Sequence, residues 1–244
     1  MSGSWVAIQR NPRSGSGRRK VRLLELIAAL KRAGLRPRLF SRREKLTERL
    51  AVPEFRNSLH CIVAAGGDGT AGDVANRFPG LPVFPFPLGT ENLLCRYLGI
   101  PPDGVQAAAM IAAGKRRQFD VGLVGGHRFL LMGSAGFDAE VIRRLHDSRR
   151  GNISHASYLK PIFGAAFGFK YPELRVFVDD CQEPVCGSLA VVSNIPAYAL
   201  GLPITPDARP DDGLFDVCVF HKPGTLRLLG YGISVMRRRH TLRS

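Results

Sequence analysis

No apolar run in the 244-residue sequence approaches the roughly 18–20 residues that a membrane-spanning helix needs. The expectation is therefore a protein without a helical membrane span. The opening residues, Met-Ser-Gly-Ser-Trp-Val-Ala-Ile, have no basic stretch leading into an apolar one and a small-residue cleavage site, so no signal peptide is predicted. The five cysteines (Cys61, Cys95, Cys181, Cys186 and Cys218) are odd in number and scattered, which argues against a disulfide framework. Cys181 and Cys186 lack a matching Cys or His pair, which excludes zinc-finger spacing. A reducing, cytoplasmic compartment is expected. There is no G-x-x-x-x-G-K-[ST] P-loop, and no G-x-G-x-x-G opens a helix. Internal repeats and low-complexity tracts are also missing. Acidic residues are scarce, 20 against 35 Lys and Arg, for a net charge of +15. Such an excess suits an anionic partner. It is spread along the chain, and charge alone does not choose among a solvated basic surface, an anionic membrane and nucleic acid.

What remains is an ordinary globular composition, 45% hydrophobic and 23% charged, in a chain long enough for one large domain or two smaller ones. Residues 6–8 read as a strand ending in a polar turn at 11–17. Val21, Leu23, Leu24, Ile27, Leu30 and Leu35 fall near helical spacing, with Gly34 as a stop signal. Strands are predicted at 36–40, 60–65 and 83–87, and helices at 46–50, 72–78 and 90–98. The run His-Cys-Ile-Val-Ala-Ala at 60–65 is the pattern of a parallel strand covered on both faces. Alternating strands and helices imply an open parallel α/β sheet. Beyond residue 115 the pattern turns to strands at 119–124, 128–132, 174–178, 188–193 and 215–220, with helical patches at 139–145 and about 157–169. The expected division is an α/β domain over residues 1–117 and a mostly antiparallel β domain over residues 118–244.

The strand, loop and helix across residues 62–76 carry the most chemistry. Gly66 and Gly67 let the chain turn sharply, and Gly69 lets a phosphate approach the main chain. N–H groups at the start of the following helix then face an anion site, aided by the helix dipole. Thr70 can donate to a phosphate oxygen. Asp68 would repel a bare phosphate, and its presence makes sense when Mg2+ lies between them. Two further polar loops leave strands in the same direction: Asn11 after the first strand, and Pro87-Leu88-Gly89-Thr90-Glu91-Asn92 after the strand at 84–86. Loops at the carboxyl ends of neighbouring parallel strands converge on one crevice, where ligands bind.

Asn11-Pro-Arg-Ser-Gly, Gly66-Gly-Asp-Gly-Thr and Pro87-Leu-Gly-Thr-Glu-Asn resemble, in order and spacing, the three signatures of the diacylglycerol kinase catalytic domain. Phe119-Asp-Val-Gly, Gly136-Phe-Asp-Ala and Asp211-Asp-Gly-Leu-Phe-Asp resemble its later landmarks, so the likeness spans nearly the whole chain. That superfamily includes bacterial lipid kinases, sphingosine kinases and ceramide kinases. The resemblance implies an α/β ATP-binding domain followed by a β-sandwich, with ATP and lipid meeting between them. It implies that Asn11, Gly66, Gly67, Asp68, Gly69, Thr70, Gly89, Thr90 and Asn92 hold ATP. By the same likeness Asp68 and Asp120 are the catalytic residues, Asp68 organising Mg2+ and Asp120 acting as base toward a lipid hydroxyl. Asp138 is similar to a substrate head-group residue, and Asp212 to part of a loop that holds a structural Mg2+ in some bacterial members. The implied activity is transfer of the γ-phosphate of ATP to a diacylglycerol-like or long-chain-base lipid. The protein would lie peripherally on the anionic inner face of the membrane, with no nucleic-acid partner.

The sequence departs from the resemblance at several places. Leu93 follows Asn92 where many members carry an acid, while Glu91 precedes it, and Arg209 stands where a second acidic metal ligand is expected. An Asp-Gly-Glu-like segment and a last strand, expected after the present residues, are not in the sequence. The sandwich is thus expected to be incomplete, and its open strand edge suits a homodimer. Residues 158–171, with Phe163, Phe167 and Phe169 between Lys160 and Lys170, read either as a core helix or as a lipid-facing element. Two other functions remain open: an NAD kinase, which shares a similar Gly-Asp-Gly-Thr loop, and a nucleotide- or lipid-binding regulator without turnover.

Overall fold

The first apolar run forms a central strand, β1 (Trp5–Arg10), whose first five residues are all buried. Burial on both faces is what its apolar run from Trp5 to Ile8 requires. In this computed structural model the described residues are 4–11, 18–137, 139, 140, 143, 172–198, 201–221, 231, 234, 235 and 237. They fall into two units, Met1–Gln118 with Val124–Arg128, and Phe119–Leu123 with Phe129–Ser244.

In the first unit β1 lies between β2 (Arg36–Phe40) and β3 (Leu59–Gly66), and β4 (Val83–Pro87) pairs on the far side of β3. All three pairings are parallel, and Ile8 sits opposite both Leu39 and Val63. The edges carry what an edge tolerates: β2 exposes Arg36 and Arg38, and β4 contains Pro85 and Pro87, whose missing N–H groups are harmless on an edge strand. This is the expected open parallel sheet.

Helix α1 (Arg18–Arg32) ends before Gly34, whose φ of 78° is suited to a helix stop. The next helices correct the expected boundaries. Helix α2 spans Arg43–Leu50 rather than 46–50, and a short α3 (Pro53–Asn57), opened by proline, follows it. Helix α4 is Asp68–Arg77, not 72–78: Gly67 is extended and its carbonyl already accepts from Thr70 and Ala71 N–H. Helix α5 is only Leu93–Tyr97, not 90–98, because Asn92 sits in the left-handed region and residues 88–92 are held as a loop. Glu91 therefore lies before the helix, not on it.

A sixth helix, α6 (Gly104–Ala113), was not expected. Its start is fixed by Asp103, which accepts from Val105 and Gln106 N–H at 2.8 Å each. Asp103-Gly-Val-Gln106 has the spacing of a capping box, the sequence signal that could have located it. Helices α1 and α6 pack through Leu23, Leu26, Leu30, Ala107, Ala108 and Ile111, in one buried cluster with Val6, Ile8, Val63 and Phe86 of the sheet.

The expected strand at 119–124 shortens to β5 (Gly122–Val124), and that at 128–132 resolves into β6 (His127–Phe129) and β7 (Met132–Gly136). In the second unit β8 (Leu174–Val176) pairs antiparallel with β9 (Val185–Gly187), which the sequence reading missed. Strand β10 (Leu189–Ser193) is the centre of an antiparallel sheet of order β11-β10-β7, where β11 is Asp216–Phe220. Val191, Ile204, Phe220 and Val235 form its core. A parallel-sheet α/β unit is thus followed by antiparallel sheets, as expected. Asp138, most of the patch at 139–145 and the segment 158–171 lie outside the described residues. Among the described residues no helix is long and apolar enough to cross a membrane.

Candidate functional site

The carboxyl ends of β1, β3 and β4 are pinned to one another by main-chain bonds. Asn11 N–H donates to Ala65 O at 3.2 Å, and Leu88 and Gly89 N–H both donate to Gly66 O, at 2.9 and 3.1 Å. Because the three strands are neighbours and parallel, their exit loops emerge on one side of the sheet. The sequence-expected residues Asn11, Gly66, Gly67, Asp68, Gly69, Thr70, Gly89, Thr90 and Asn92 all belong to these loops and to the first turn of α4.

Glycine is required where the loops touch. A Cβ on Gly89 would collide with Gly67 Cα, and one on Gly66 would overlap the Thr70 hydroxyl. Thr70 is only 8% exposed and lines a small cavity of about 60 Å3 together with Gln9, Arg10, Asn11, Ser41, Arg43 and Asp73. Asp73 is held there by Arg43 at 3.2 Å and Arg77 at 2.7 Å. Among the described residues no side chain caps the N-terminus of α4, and its first turn is an anion-attracting end beside that cavity.

Two of the expected residues have structural work that their sequence did not announce. The Asn92 side chain folds back on its own loop: its Oδ1 accepts from Gly89 N–H at 2.8 Å and its Nδ2 donates to Gly89 O at 3.0 Å. Asp68 caps α5, with Leu93 N–H donating to Oδ2 and Leu94 N–H to Oδ1, both at 3.0 Å. A carboxylate at the start of a helix suits the dipole, and here it also couples the second loop to the third. Burial, with the Asp68 charge added, pushes the nearby Cys95 thiol up to about 12.

Asp120 belongs to the second unit. Its N–H donates to Pro210 O at 2.6 Å and its Oδ2 accepts from Gly213 N–H at 2.8 Å. The loop bearing Asp212 is thereby tied to Asp120, and Asp212 Oδ1 itself accepts from Leu214 N–H at 3.1 Å. Sequence reasoning missed Asn194. Fully buried, it donates from Nδ2 to Asp120 O and Leu130 O, at 2.8 Å each, while among the described residues no partner meets its Oδ1. Asp216, on β11, titrates above the ordinary carboxylate range, through partial burial first and then the charges of Asp212 and Asp207. Among the described residues there is no group of three or more His, Cys, Asp or Glu side chains that could hold a metal.

Residues 6–124 match the diacylglycerol kinase catalytic domain. Residues 132–242 match the YegS C-terminal NAD kinase beta sandwich-like domain. Together the two matches place the chain among proteins that join a diacylglycerol kinase catalytic domain to a YegS-type C-terminal domain. It is 29% identical over 209 residues to a Pseudomonas fluorescens (strain Pf0-1) protein named "Probable lipid kinase YegS-like", covering 79% of this chain and 65% of that protein. It is 26% identical over 239 residues to a diacylglycerol kinase of Staphylococcus saprophyticus, covering 93% of this chain and 76% of the relative. A crystal structure of a Bacillus anthracis (strain Sterne) diacylglycerol kinase has the same fold, with a TM-score of 0.67 at 24% identity over 93% of this chain and 77% of that one. Another structure from the same organism gives 0.68 at 26% identity, covering 95% and 79%. The three pinned loops all lie within the residues that match the diacylglycerol kinase catalytic domain.

Proposed function

We propose that this chain is an ATP- and Mg2+-dependent lipid kinase, transferring the γ-phosphate to a hydroxyl of a diacylglycerol-like or long-chain-base lipid. The observation that carries this reading is the convergence of the loops at Asn11, 66–70 and 87–92, closed by the approach of Gly67 to Gly89. In this reading residues 1–117 bind ATP and residues 118–244 present the lipid. Asn11, Gly66, Gly67, Gly69 and Thr70 hold phosphates together with the first-turn N–H groups of α4, and Gly89, Thr90 and Asn92 close the crevice.

The residues present fit Mg2+. That ion keeps several waters and takes one or two carboxylates plus substrate phosphates, so it needs no all-protein cage. Asp68 would hold it: both carboxylate oxygens accept one N–H bond, and each keeps a further lone pair. Bound there, the ion would neutralise charge on the transferring phosphoryl group. Asp120 takes the proton of the lipid hydroxyl while that oxygen bonds to the γ-phosphorus and the bond from this phosphorus to the ADP bridging oxygen breaks. Asp138 contacts the head group, and Asp212 supports the Asp120 segment or a second, structural Mg2+. The net charge of +15 favours an anionic membrane face, at about 1 kcal/mol for each Lys or Arg near the surface.

The test is incubation with labelled ATP, Mg2+ and mixed micelles of diacylglycerol or sphingosine. Labelled phospholipid is expected, with Asp120→Asn lowering kcat by roughly 100-fold or more at unchanged ATP affinity. Labelling of NAD instead would reassign the acceptor. ATP binding without turnover on either lipid would refute the kinase reading and leave a binding protein.

A further inference from the structure

Asn194 follows β10 and is fully buried in the second unit. Its main-chain N–H donates to Leu131 O at 2.7 Å, and its Nδ2 donates to Asp120 O and Leu130 O at 2.8 Å each. One residue thus ties the end of β10 to the segment that leads into β7 and to the segment that bears Asp120. Both side-chain acceptors are carbonyls, so the amide cannot be turned over without setting oxygen against oxygen. Its own Oδ1 is buried and meets no partner among the described residues. A bare buried acceptor is a cost that an apolar side chain of similar size would not carry. The two bonds that offset it hold main chain, and one of them holds Asp120.

Asp120 is gripped at three points. Its N–H donates to Pro210 O at 2.6 Å, its C=O accepts from Asn194, and its Oδ2 accepts from Gly213 N–H at 2.8 Å. With donor and acceptor of one residue both engaged, the peptide planes on either side are fixed, and with them the direction in which Cβ leaves the chain. Gly213 then sets the rotation of the carboxylate. Among the described residues Asp120 Oδ1 accepts no bond. It is the oxygen left to meet a hydroxyl, which a base must approach to within about 3 Å.

We infer that Asn194 is a positioning residue: through the Asp120 carbonyl it fixes where the Asp120 carboxylate stands, and so governs proton transfer while buried away from both substrates. The kinetic part rests on the kinase reading above, in which Asp120 takes the proton of the acceptor hydroxyl. The hold on Asp120 does not depend on that reading. A catalytic group displaced by about 1 Å loses up to about 100-fold in rate. The loss falls on kcat rather than on ATP affinity, because both side-chain bonds of Asn194 end within the second unit.

The experiment has one arm without turnover and one with it. In the first, amide hydrogen exchange compares the native chain with Asn194→Ala. The Asp120 and Gly213 amides are expected to exchange about tenfold faster in the variant, the factor that one lost hydrogen bond carries. Amides of β1, in the first unit, stay within about twofold. In the second arm, phosphorylation of diacylglycerol in mixed micelles is followed at varied ATP. Asn194→Ala is expected to lower kcat by about 10- to 100-fold with KM for ATP within about twofold. The same substitution made on Asp120→Asn should cost no more than about twofold, because the group being positioned is already gone. A merely structural role gives the same loss in both backgrounds. Should the alanine variant fail to fold, Asn194→Ser keeps one hydroxyl donor and is expected to fall between it and the native chain in both arms. Unchanged Gly213 exchange, an unchanged kcat, or equal losses in the two backgrounds would overturn the inference. A native chain without kinase activity refutes the kinase reading instead, and the exchange arm still decides whether Asn194 holds Asp120.

Discussion

Replacing Gly89 with alanine places a methyl group in the contact that joins the two glycine loops. Its Cβ would lie 2.8 Å from Asn92 Oδ1 and 3.0 Å from Gly67 N, and closer still to Gly67 Cα. Unstrained carbon contacts lie at about 3.5–4.0 Å, so main chain must separate by roughly 1 Å. Gly89 is outside the left-handed region, so the effect is steric rather than conformational. Overpacking against backbone costs about 1–3 kcal/mol, and disturbing the Gly89–Asn92 bond adds about 1 kcal/mol. A total of about 2–4 kcal/mol lowers Tm by roughly 5–15 °C in a chain of this size. A displacement of about 1 Å also weakens productive nucleotide binding by up to about 100-fold. Thermal unfolding and calorimetric ATP titration measure the two effects. Gly72→Ala is the internal control, because a Cβ there meets nothing within 4 Å inside α4 and alanine should stabilise the helix by about 1 kcal/mol. If Gly89→Ala melts and binds ATP as the native chain does, the loops do not touch and the crevice argument fails.

Gly69→Ala separates binding from folding: a Cβ there also meets nothing within 4 Å, so Tm should hold or rise as for Gly72→Ala. ATP affinity should still fall about tenfold if phosphate lies on that main chain, and unchanged affinity would place the phosphate elsewhere. Asp68→Ala removes the acceptors of Leu93 and Leu94 N–H, each costing about 1–3 kcal/mol if left unpaired. The loss should appear in denaturant melts without nucleotide or metal, with Asp68→Asn intermediate, and equal midpoints would disprove the cap. For Asp216, burial and then Asp212 and Asp207 raise the carboxyl pKa, so the folded chain holds that proton more tightly than the unfolded one. Its ionised form therefore subtracts stability at neutral pH, and the penalty fades as pH falls through the raised pKa. Asp216→Asn should raise Tm at pH 7, with the gain shrinking as pH falls below the raised pKa and gone once pH is below the ordinary carboxylate value, and a pH-independent gain in a melting series would rule out the charge as the cause.

Much of the first unit was legible in sequence because its strands have no choice of partner face. The run from Cys61 to Ala65 is apolar at every position because both faces are covered, and β2 and β4 read true through their edge-tolerant residues. Helix ends were harder. Helix α5 begins where it does because Asp68, 25 residues earlier, caps Leu93, and no window of local sequence contains both. Helix α6 was readable in its Asp103–Gln106 capping box yet lacks a clean apolar stripe, since alanines fill it.

The candidate site divides along the same line. The sequence by itself determined which loops bear the glycines, the acid and the hydroxyl, because sharp turns at strand ends demand those residue types locally. Tertiary structure decided what they do for one another. Gly89 is obligatory through Gly67, Asp68 works through α5, and Asp120 is held by Gly213 and Asn194. Arg19 and Arg22 line one cavity with Arg96 because β1 and β4 exit on the same side of the sheet. Contacts between residues far apart in the chain follow from how strands order themselves, and strand order is set by packing of the whole core rather than by any segment within it.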